Sequence, residues 1–370
     1  MLAGCAALLV RLRKPDLREY RPLPAERSPL LSVIVPARDE ARNIQRCLTS
    51  LRASRYPRLE IIVVDDRSSD RTGEIARRAA EADPRVKVLA GRERPEGWYG
   101  KPWACWQGCE ASRGDLLLFT DADTVHGPHL HELAVAALQA ERVDLLSVMP
   151  HQEMRGFWER VAQPFFFLLL GLRFGTLARV NRSTRPRDAI ANGQFVMVTR
   201  ESYEWVGGHR AVRNTVIEDL MLAAEYRRAG KRHFLALGED LSVRMYTSLR
   251  EIVAGWTKNL FAGVLHVVHR HWLARLVTVG SLDVPAAFLA PAAALGLFAW
   301  LRFPALGVFG ATSFLSCALV IGRILHSSRA PAALGLLHPL GALVLAFVLL
   351  RATIRGTRRI EWKGRTYSHP

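Results

Sequence analysis

Apolar runs and the polar breaks between them divide the chain into two kinds of text. From Leu30 onward, short apolar runs alternate with amphipathic stretches. Leu31-Ser-Val-Ile-Val-Pro36 and Leu59-Glu-Ile-Ile-Val-Val-Asp65 lack the strict alternation of a half-solvated strand, so they read as strands buried on both faces. Residues 40–53 read as the helix between them, and Asp70, with Glu74 one turn on, opens another helix to about residue 82. Val86-Lys-Val-Leu89 is a short third strand. Leu116 to Thr120 is a fourth, set between Gly114 and His126-Gly-Pro128. Helix 128–140 and strand 143–149 follow, then strand 195–199, a helix from Glu201 closed by Gly207-Gly208, and a helix from about Glu218. Strands alternating with helices of this length predict an α/β fold with a parallel sheet covered on both faces.

Two stretches depart from that pattern. Residues 155–180 are unusually apolar around Phe165-Phe-Phe-Leu-Leu-Leu170, but Arg160 and Arg173 bound a segment too short to span a bilayer. An interfacial helix and a core helix both fit it. Residues 252–276 read as amphipathic helix, and three apolar segments of membrane length follow at 277–300, 303–321 and 332–350. Met1 to Val10 is apolar at half that length, and Pro15 to Pro29 is a proline-punctuated linker. The divisions expected are a stub and linker at 1–27, a globular domain at 28–245, interfacial helices at 246–275, membrane segments at 276–351 and a basic tail at 352–370.

Net charge narrows the partners. The chain carries +17 over 370 residues, with only six lysines among 51 Lys and Arg. Such a balance suits nucleic acid, a membrane surface or phosphorylated substrates. No basic stripe interleaved with aromatics, zinc spacing or recognition helix is present, which argues against nucleic acid. Five scattered cysteines, an odd number, imply no disulfide framework and fit a reducing compartment. His266, His269 and His271 are irregularly spaced and lack an accompanying acid, so they read as solvated or interfacial rather than as metal ligands.

Candidate chemistry collects at strand ends and helix starts. Asp121 and Asp123 follow the fourth strand with only Ala122 between them, and on an extended chain their carboxylates point the same way. The carboxyl ends of strands are where open α/β sheets bind ligands. Two such acids suit Mg2+ or Mn2+, which neutralises a diphosphate; the alternative is a loop whose aspartates cap the next helix. Asp39 follows the first strand and Asp65-Asp66 the second, where a nucleotide finds acceptors for its base and ribose. The first strand runs into Pro36-Ala-Arg-Asp-Glu40 without a Gly-x-Gly-x-x-Gly turn, which disfavours a nicotinamide enzyme. With no glycine cradle, the diphosphate falls to metal and cation. Lys101, at a helix start, is a phosphate contact or a plain surface lysine. Glu218-Asp219 offers a base for an attacking hydroxyl.

Taken together, Val33-Ile-Val-Pro-Ala-Arg-Asp-Glu40, Val63-Val-Asp-Asp-Arg-Ser-Ser-Asp70, Gly100-Lys101 with Gly108, Asp121-Ala-Asp123, Gly207-Gly-His209 and Glu218-Asp219 resemble the family 2 inverting glycosyltransferases over about residues 28–230. The resemblance implies the GT-A fold. It also implies nucleotide binding by Asp39, Asp65 and Asp66, Asp121 beside the ribose and diphosphate, Asp123 as metal ligand and Asp219 as general base. Arg67 and Trp106 stand where family members often carry Gly and Asn. A narrower set, Gly97-Trp-Tyr-Gly-Lys-Pro-Trp-Ala104, Asn192-Gly-Gln-Phe195, Gly255-Trp-Thr-Lys-Asn259 and Trp362-Lys-Gly-Arg-Thr-Tyr367, is similar to the membrane-bound branch associated with hopanoid and carotenoid glycosylation. Processive synthases carry Gln-x-x-Arg-Trp, whereas Ile252-Val-Ala-Gly-Trp256 lacks both Gln and Arg, which implies a single sugar transfer.

The reading is thus a multi-pass enzyme of the cell membrane with a cytoplasmic catalytic domain, a nucleotide-diphosphate sugar as donor and a lipid as acceptor. Carotenoid, hopanoid and polyprenyl phosphate acceptors stay open, the last because Arg210, Arg213 and Lys258 supply extra cations. Phe165 to Leu170, Trp205 and residues 256–273 are the apolar elements expected beside the acceptor. A sugar nucleotidyltransferase would want a glycine-rich first loop and no membrane helices, and a non-catalytic membrane scaffold would not need an intact set of acids. Asp283, Pro285 and Pro291 make 277–300 awkward in lipid, so two true spans and a cytoplasmic basic tail are expected.

Overall fold

The computed structural model describes residues 15–268, 270–356, 360–362 and 365–367. The apolar stub, His269, and Arg358, Arg359 and Lys363 of the basic tail lie outside the described residues. In chain order the strands are β1 (Leu31–Ala37), β2 (Leu59–Asp65), β3 (Val86–Ala90), β4 (Leu116–Phe119), β5 (Thr124–His126), β6 (Leu145–Gln152), β7 (Val196–Thr199) and β8 (His233–Val243). The helices among them are α1 (Ile44–Arg52), α2 (Thr72–Ala82), α3 (Gly100–Glu110), α4 (Leu130–Ala140), α5 (Phe157–Phe174), α6 (Leu177–Arg182), α7 (Arg200–Trp205), α8 (Gly208–Ala211) and α9 (Glu218–Arg228). The last third holds α10 (Leu249–Val268), α11 (His271–Gly280), α12 (Asp283–Leu301), α13 (Pro304–Ser327), α14 (His338–Arg355) and a small hairpin of Ile360–Trp362 with Arg365–Tyr367.

The chain forms two compact units. One comprises the described residues up to Gln152 with Thr176–Arg244, the other Glu153–Gly175 with the residues from Met245 onward. The first is organised on an eight-stranded sheet, β3-β2-β1-β4-β7-β6-β8-β5. β1, β2 and β4 are buried along almost their whole length, as runs covered on both faces must be. The strands from β3 through β4 run parallel, but β7 pairs antiparallel with both β4 and β6, and β5 pairs antiparallel with β8. The all-parallel expectation is therefore corrected to a mixed sheet. β8 was not anticipated, because Gly238-Glu-Asp240 interrupts its apolar alternation. α1 begins at Ile44 rather than Glu40, since the preceding residues form the turn at the mouth of β1; Ala41 there donates its N–H to Asp70 Oδ2 at 3.0 Å.

In the second unit, Trp256 stacks on Phe166 at 4.7 Å between ring centroids, and Phe165 meets Phe288 edge-on at 5.0 Å. These side chains are buried core rather than an open apolar surface. Of the apolar elements expected beside the acceptor, Trp205 in the first unit is 74% exposed and Trp272 in the second 58%. The amphipathic stretch 252–276 is divided between α10 and α11. By length and composition four stretches are long and apolar enough to cross a membrane: Phe157–Arg182, His271–Leu301, Pro304–Ser327 and Ala332–Arg355. The first was expected to be too short. It leaves the sheet after β6 and returns before β7, and those strands pair in register, Leu145 with Val198. A single crossing would put paired strands on opposite sides of a bilayer, so this stretch does not cross once.

Candidate active site

Three loops at the carboxyl ends of β1, β2 and β4 carry most of the expected acids. The first two are laced together. Asp39, at φ 52°, accepts from the backbone N–H of Ser69 at 2.7 Å and from its hydroxyl at 3.0 Å, and donates its own N–H to Ser68 Oγ at 3.1 Å. Asn and Asp tolerate this left-handed conformation better than most residues. Asp65 Oδ1 accepts from Ser68 N at 3.1 Å, while Arg38 donates to the carbonyls of Asp66 and Arg67 at 2.6 and 3.0 Å. Gly73 at the start of α2 lets the helix pass over Asp65: a Cβ there would lie 2.3 Å from Asp65 Oδ2. Asp39 and Asp65 thus form one acidic rim. Asp66 is only 2% exposed.

The remaining acids converge on Lys101. From the first turn of α3 its ammonium reaches Asp121 Oδ1 at 2.7 Å and Glu218 Oε1 at 2.6 Å, and its side chain is 22% exposed. The surface-lysine alternative therefore falls. Asp219, the next residue of α9, has Oδ2 hydrogen-bonded by the Gly193 N–H at 2.6 Å and Oδ1 by the Leu220 N–H at 2.8 Å. Gly193 allows this approach, because a Cβ on it would stand 2.9 Å from Lys101 Nζ and 3.0 Å from Asp219 Oδ2. Asp121 and Asp123 are brought together by a turn rather than by an extended strand. Thr124 closes it, donating its hydroxyl to the Asp121 carbonyl at 2.7 Å.

The electrostatics show what the cluster lacks. One ammonium faces Asp121, Asp123, Glu218 and Asp219 in a desolvated setting. Burial opposes the charge of Lys101, but Asp121, Glu218 and Asp219 overcome it and hold its pKa well above the usual value. Glu218 is likewise penalised by burial, yet Lys101 keeps it below the ordinary carboxylate range. Burial raises Asp121 despite the pull of Lys101. Asp219 is pushed up to about 6 by burial and by the negative charge of Glu218, with Lys101 pulling the other way. Asp123 is pushed to about 8 by burial, Asp121 and Glu40, and its Oδ1 is buried without a hydrogen-bond partner. Carboxylates that hold protons this tightly are short of positive charge, and an orphaned carboxylate oxygen is a place for a hard cation. Among the described residues no group of three or more His, Cys, Asp or Glu forms a ready cage for a metal. A cation here would rely on Asp123 and on ligand oxygens, as Mg2+ does when it binds with phosphates.

Of the expected site residues, Lys101, Asp121, Asp123 and Asp219 thus meet in one cluster, Asp39 and Asp65 form the adjoining rim, and Asp66 is buried next to Asp65. Sequence reasoning did not assign Gly193 or the partnership of Glu218 with Lys101. The Asn192-Gly-Gln-Phe195 run carried the only signal for Gly193.

Known proteins resemble this chain in sequence and in fold. Residues 32–217 match the glycosyl transferase family 2, half of the chain. The chain is 29% identical over 237 residues to a 4,4'-diaponeurosporenoate glycosyltransferase of Staphylococcus haemolyticus, and 30% identical over 246 residues to one of Staphylococcus aureus. Each match covers 63% of this chain and 61% of the relative, so the aligned region spans less than two thirds of these curated relatives. The fold resembles that of a mannosyltransferase from Pyrobaculum calidifontis, solved in complex with GDP-Man and Mn2+, with a TM-score of 0.57 at 20% identity over 96% of this chain and 92% of that one. The first unit has the GT-A fold, and the chain belongs to glycosyl transferase family 2.

Proposed function

We propose that the chain transfers one sugar from a nucleotide-diphosphate sugar to an apolar lipid carrying a hydroxyl, at a membrane, with inversion at the anomeric carbon. The observation that supports this best is the cluster in which Lys101 is held between Asp121 and Glu218 while Asp219, raised to about 6, is oriented by the Gly193 N–H. A carboxylate poised near neutrality and fixed by two backbone donors suits a general base. Asp219 removes the acceptor's proton as its oxygen attacks the anomeric carbon from the side opposite the diphosphate. Asp39 and Asp65 hold the nucleoside, and Lys101 offsets charge on the departing diphosphate. A divalent cation held by Asp123 would add Lewis-acid stabilisation of that leaving group.

The lipid acceptor rests on the relatives' name and on the apolar helices of the second unit, which we read as membrane-embedded. That name supports a second reading. Diaponeurosporenoate is a carboxylate, and an acceptor already deprotonated needs no base.

One experiment separates these. Membranes carrying the full chain are incubated with labelled UDP-glucose or GDP-mannose and Mn2+, with a hydroxylated terpenoid, a carotenoid carboxylate or a polyprenyl phosphate added, and the lipid is extracted. Label on the hydroxylated terpenoid, falling by about a hundredfold in Asp219→Asn, is the expected result. Transfer to the carboxylate that Asp219→Asn leaves intact favours the second reading. Transfer to polyprenyl phosphate alone replaces the neutral lipid, and transfer only to a water-soluble sugar or protein sinks the lipid acceptor.

A further inference from the structure

Behind the Asp121–Asp123 turn lies a buried polar chain to which the proposed reaction assigns no role. Ser54 Oγ is 2.8 Å from His131 Nδ1, His131 Nε2 is 3.2 Å from His126 Nδ1, and His126 Nε2 is 3.0 Å from the hydroxyls of both Thr120 and Thr124. The two imidazoles stack at 5.1 Å, and both residues are at most 2% exposed. At its far end the chain meets two carbonyls: Thr120 donates to the Gln194 carbonyl at 2.8 Å and Thr124 to that of Asp121 at 2.7 Å.

Counting protons gives this chain one direction. Each threonine hydroxyl has a single proton, and a carbonyl only accepts, so both threonine protons are committed to the backbone. Their 3.0 Å contact with each other therefore carries none, and both oxygens accept from His126 Nε2–H. Neutral His126 then has an accepting Nδ1, which takes the proton on His131 Nε2. His131 Nδ1 in turn accepts from Ser54, whose oxygen accepts the Tyr56 N–H at 3.3 Å. Burial supports the neutral state of both rings, lowering His131 to about 4 and His126 well below its ordinary value. Every donor along the chain has an acceptor, the His126 Nε2–H being shared by the two threonines, and all point toward the active site.

The two terminal carbonyls belong to the two halves of that site. Asp121 opens the turn that presents Asp123, and Gln194 follows Gly193, whose N–H holds Asp219. We propose that His126 and His131 are positioning residues: their directed hydrogen bonds, delivered through Thr120 and Thr124, fix the spacing between the cation-binding turn and the loop that orients the base. This rests on the reading of Asp123 and Asp219 given above. A buried network with every member satisfied is rigid, which is what placement of reacting groups requires.

The test uses the full chain in detergent and two readouts. Mn2+ affinity is followed by electron paramagnetic resonance in His126→Leu and His126→Gln, the latter keeping an N–H donor near the Nε2 position. The leucine variant is expected to weaken Mn2+ binding by about tenfold and to lower turnover by about 10- to 100-fold, the effect of misplacing reacting groups by a fraction of an ångström to an ångström. The glutamine variant is expected to recover most of both. Equal losses in the two variants would point to packing alone and overturn the proposal, as would wild-type Mn2+ affinity in His126→Leu. If the leucine variant does not fold, ring 15N shifts of the parent decide: both histidines carry the proton on Nε2, and an Nδ1–H tautomer at either refutes the chain. Asp123→Asn is the control for the underlying reading. Its loss of Mn2+ beside an unaffected His126→Leu condemns this inference only, whereas Mn2+ retained in Asp123→Asn removes both.

Discussion

Gly193→Ala isolates the geometry of the site from the stability of the fold. Gly193 is not among the glycines with positive φ, so its backbone accepts alanine. The new Cβ, however, would lie 2.9 Å from Lys101 Nζ and 3.0 Å from Asp219 Oδ2. Both are roughly half an ångström inside ordinary contact at about 3.5 Å. Lys101 cannot simply swing away, because Asp121 and Glu218 grip it at 2.7 and 2.6 Å. Asp219 cannot retreat without giving up the Gly193 N–H at 2.6 Å. Asp219 and Lys101 must therefore shift relative to each other. A shift of this size predicts turnover lower by about 10- to 100-fold, which is about 1.4 to 2.7 kcal/mol of activation free energy. Stability has an opposite tendency, since removing a glycine from the unfolded ensemble contributes about 0.4–1 kcal/mol. The variant should thus melt within a few degrees of the parent while transferring label slowly. Gly263→Ala, whose Cβ meets nothing within 4 Å, is the matched control and should keep parental turnover. The reasoning is refuted if Gly193→Ala transfers sugar within twofold of the parent, or if its loss of turnover matches a loss of folded protein.

Two further outcomes are expected. In its proposed role as base Asp219 works only when deprotonated, and burial with the charge of Glu218 raises it from 3.8 to about 6, so metal-free protein should give up this proton near pH 6 and turnover should fall as pH drops through the acid limb. Raising Mn2+ adds positive charge and should move that limb down, while Lys101→Met removes positive charge and should move it up; a limb that ignores both changes assigns the base elsewhere. For topology, three of the four apolar stretches remain as candidate crossings once Phe157–Arg182 is set aside, and an odd number would export a basic tail against the positive-inside preference. The stretch containing Asp283, Pro285 and Pro291 is expected not to cross, so a cysteine introduced at Arg365 should be labelled from the same side as one at Ser69, and labelling from opposite sides would overturn this.

Much of the fold was legible in the chain because periodicity is a local property of the backbone. The continuous apolar runs of β1, β2 and β4 announced strands covered on both faces, and the acids that follow them announced a ligand edge. Asp70 and the turn before Ile44 were read only approximately, since a cap and a helix start differ by hydrogen bonds to residues in another loop. Strand direction was out of reach: β7 pairs antiparallel with β4 across some 80 residues of sequence, and nothing in Val-Met-Val-Thr states its orientation. β8 was hidden because half of its pattern is spent on pairing with β5 and on a bulge opposite Pro150. The same division runs through the site. Asp121, Asp123 and Asp219 were nameable as acids at strand ends and helix starts. That Lys101 is clamped by Asp121 and Glu218, that a Cβ on Gly193 would crowd Lys101 and Asp219, and that His131 and His126 connect through Thr120 and Thr124 to the carbonyls of Gln194 and Asp121 were decided by tertiary structure. Residue type determines what a side chain can donate, accept or hold in charge; only the order of strands in the sheet brings its distant partners within three ångströms.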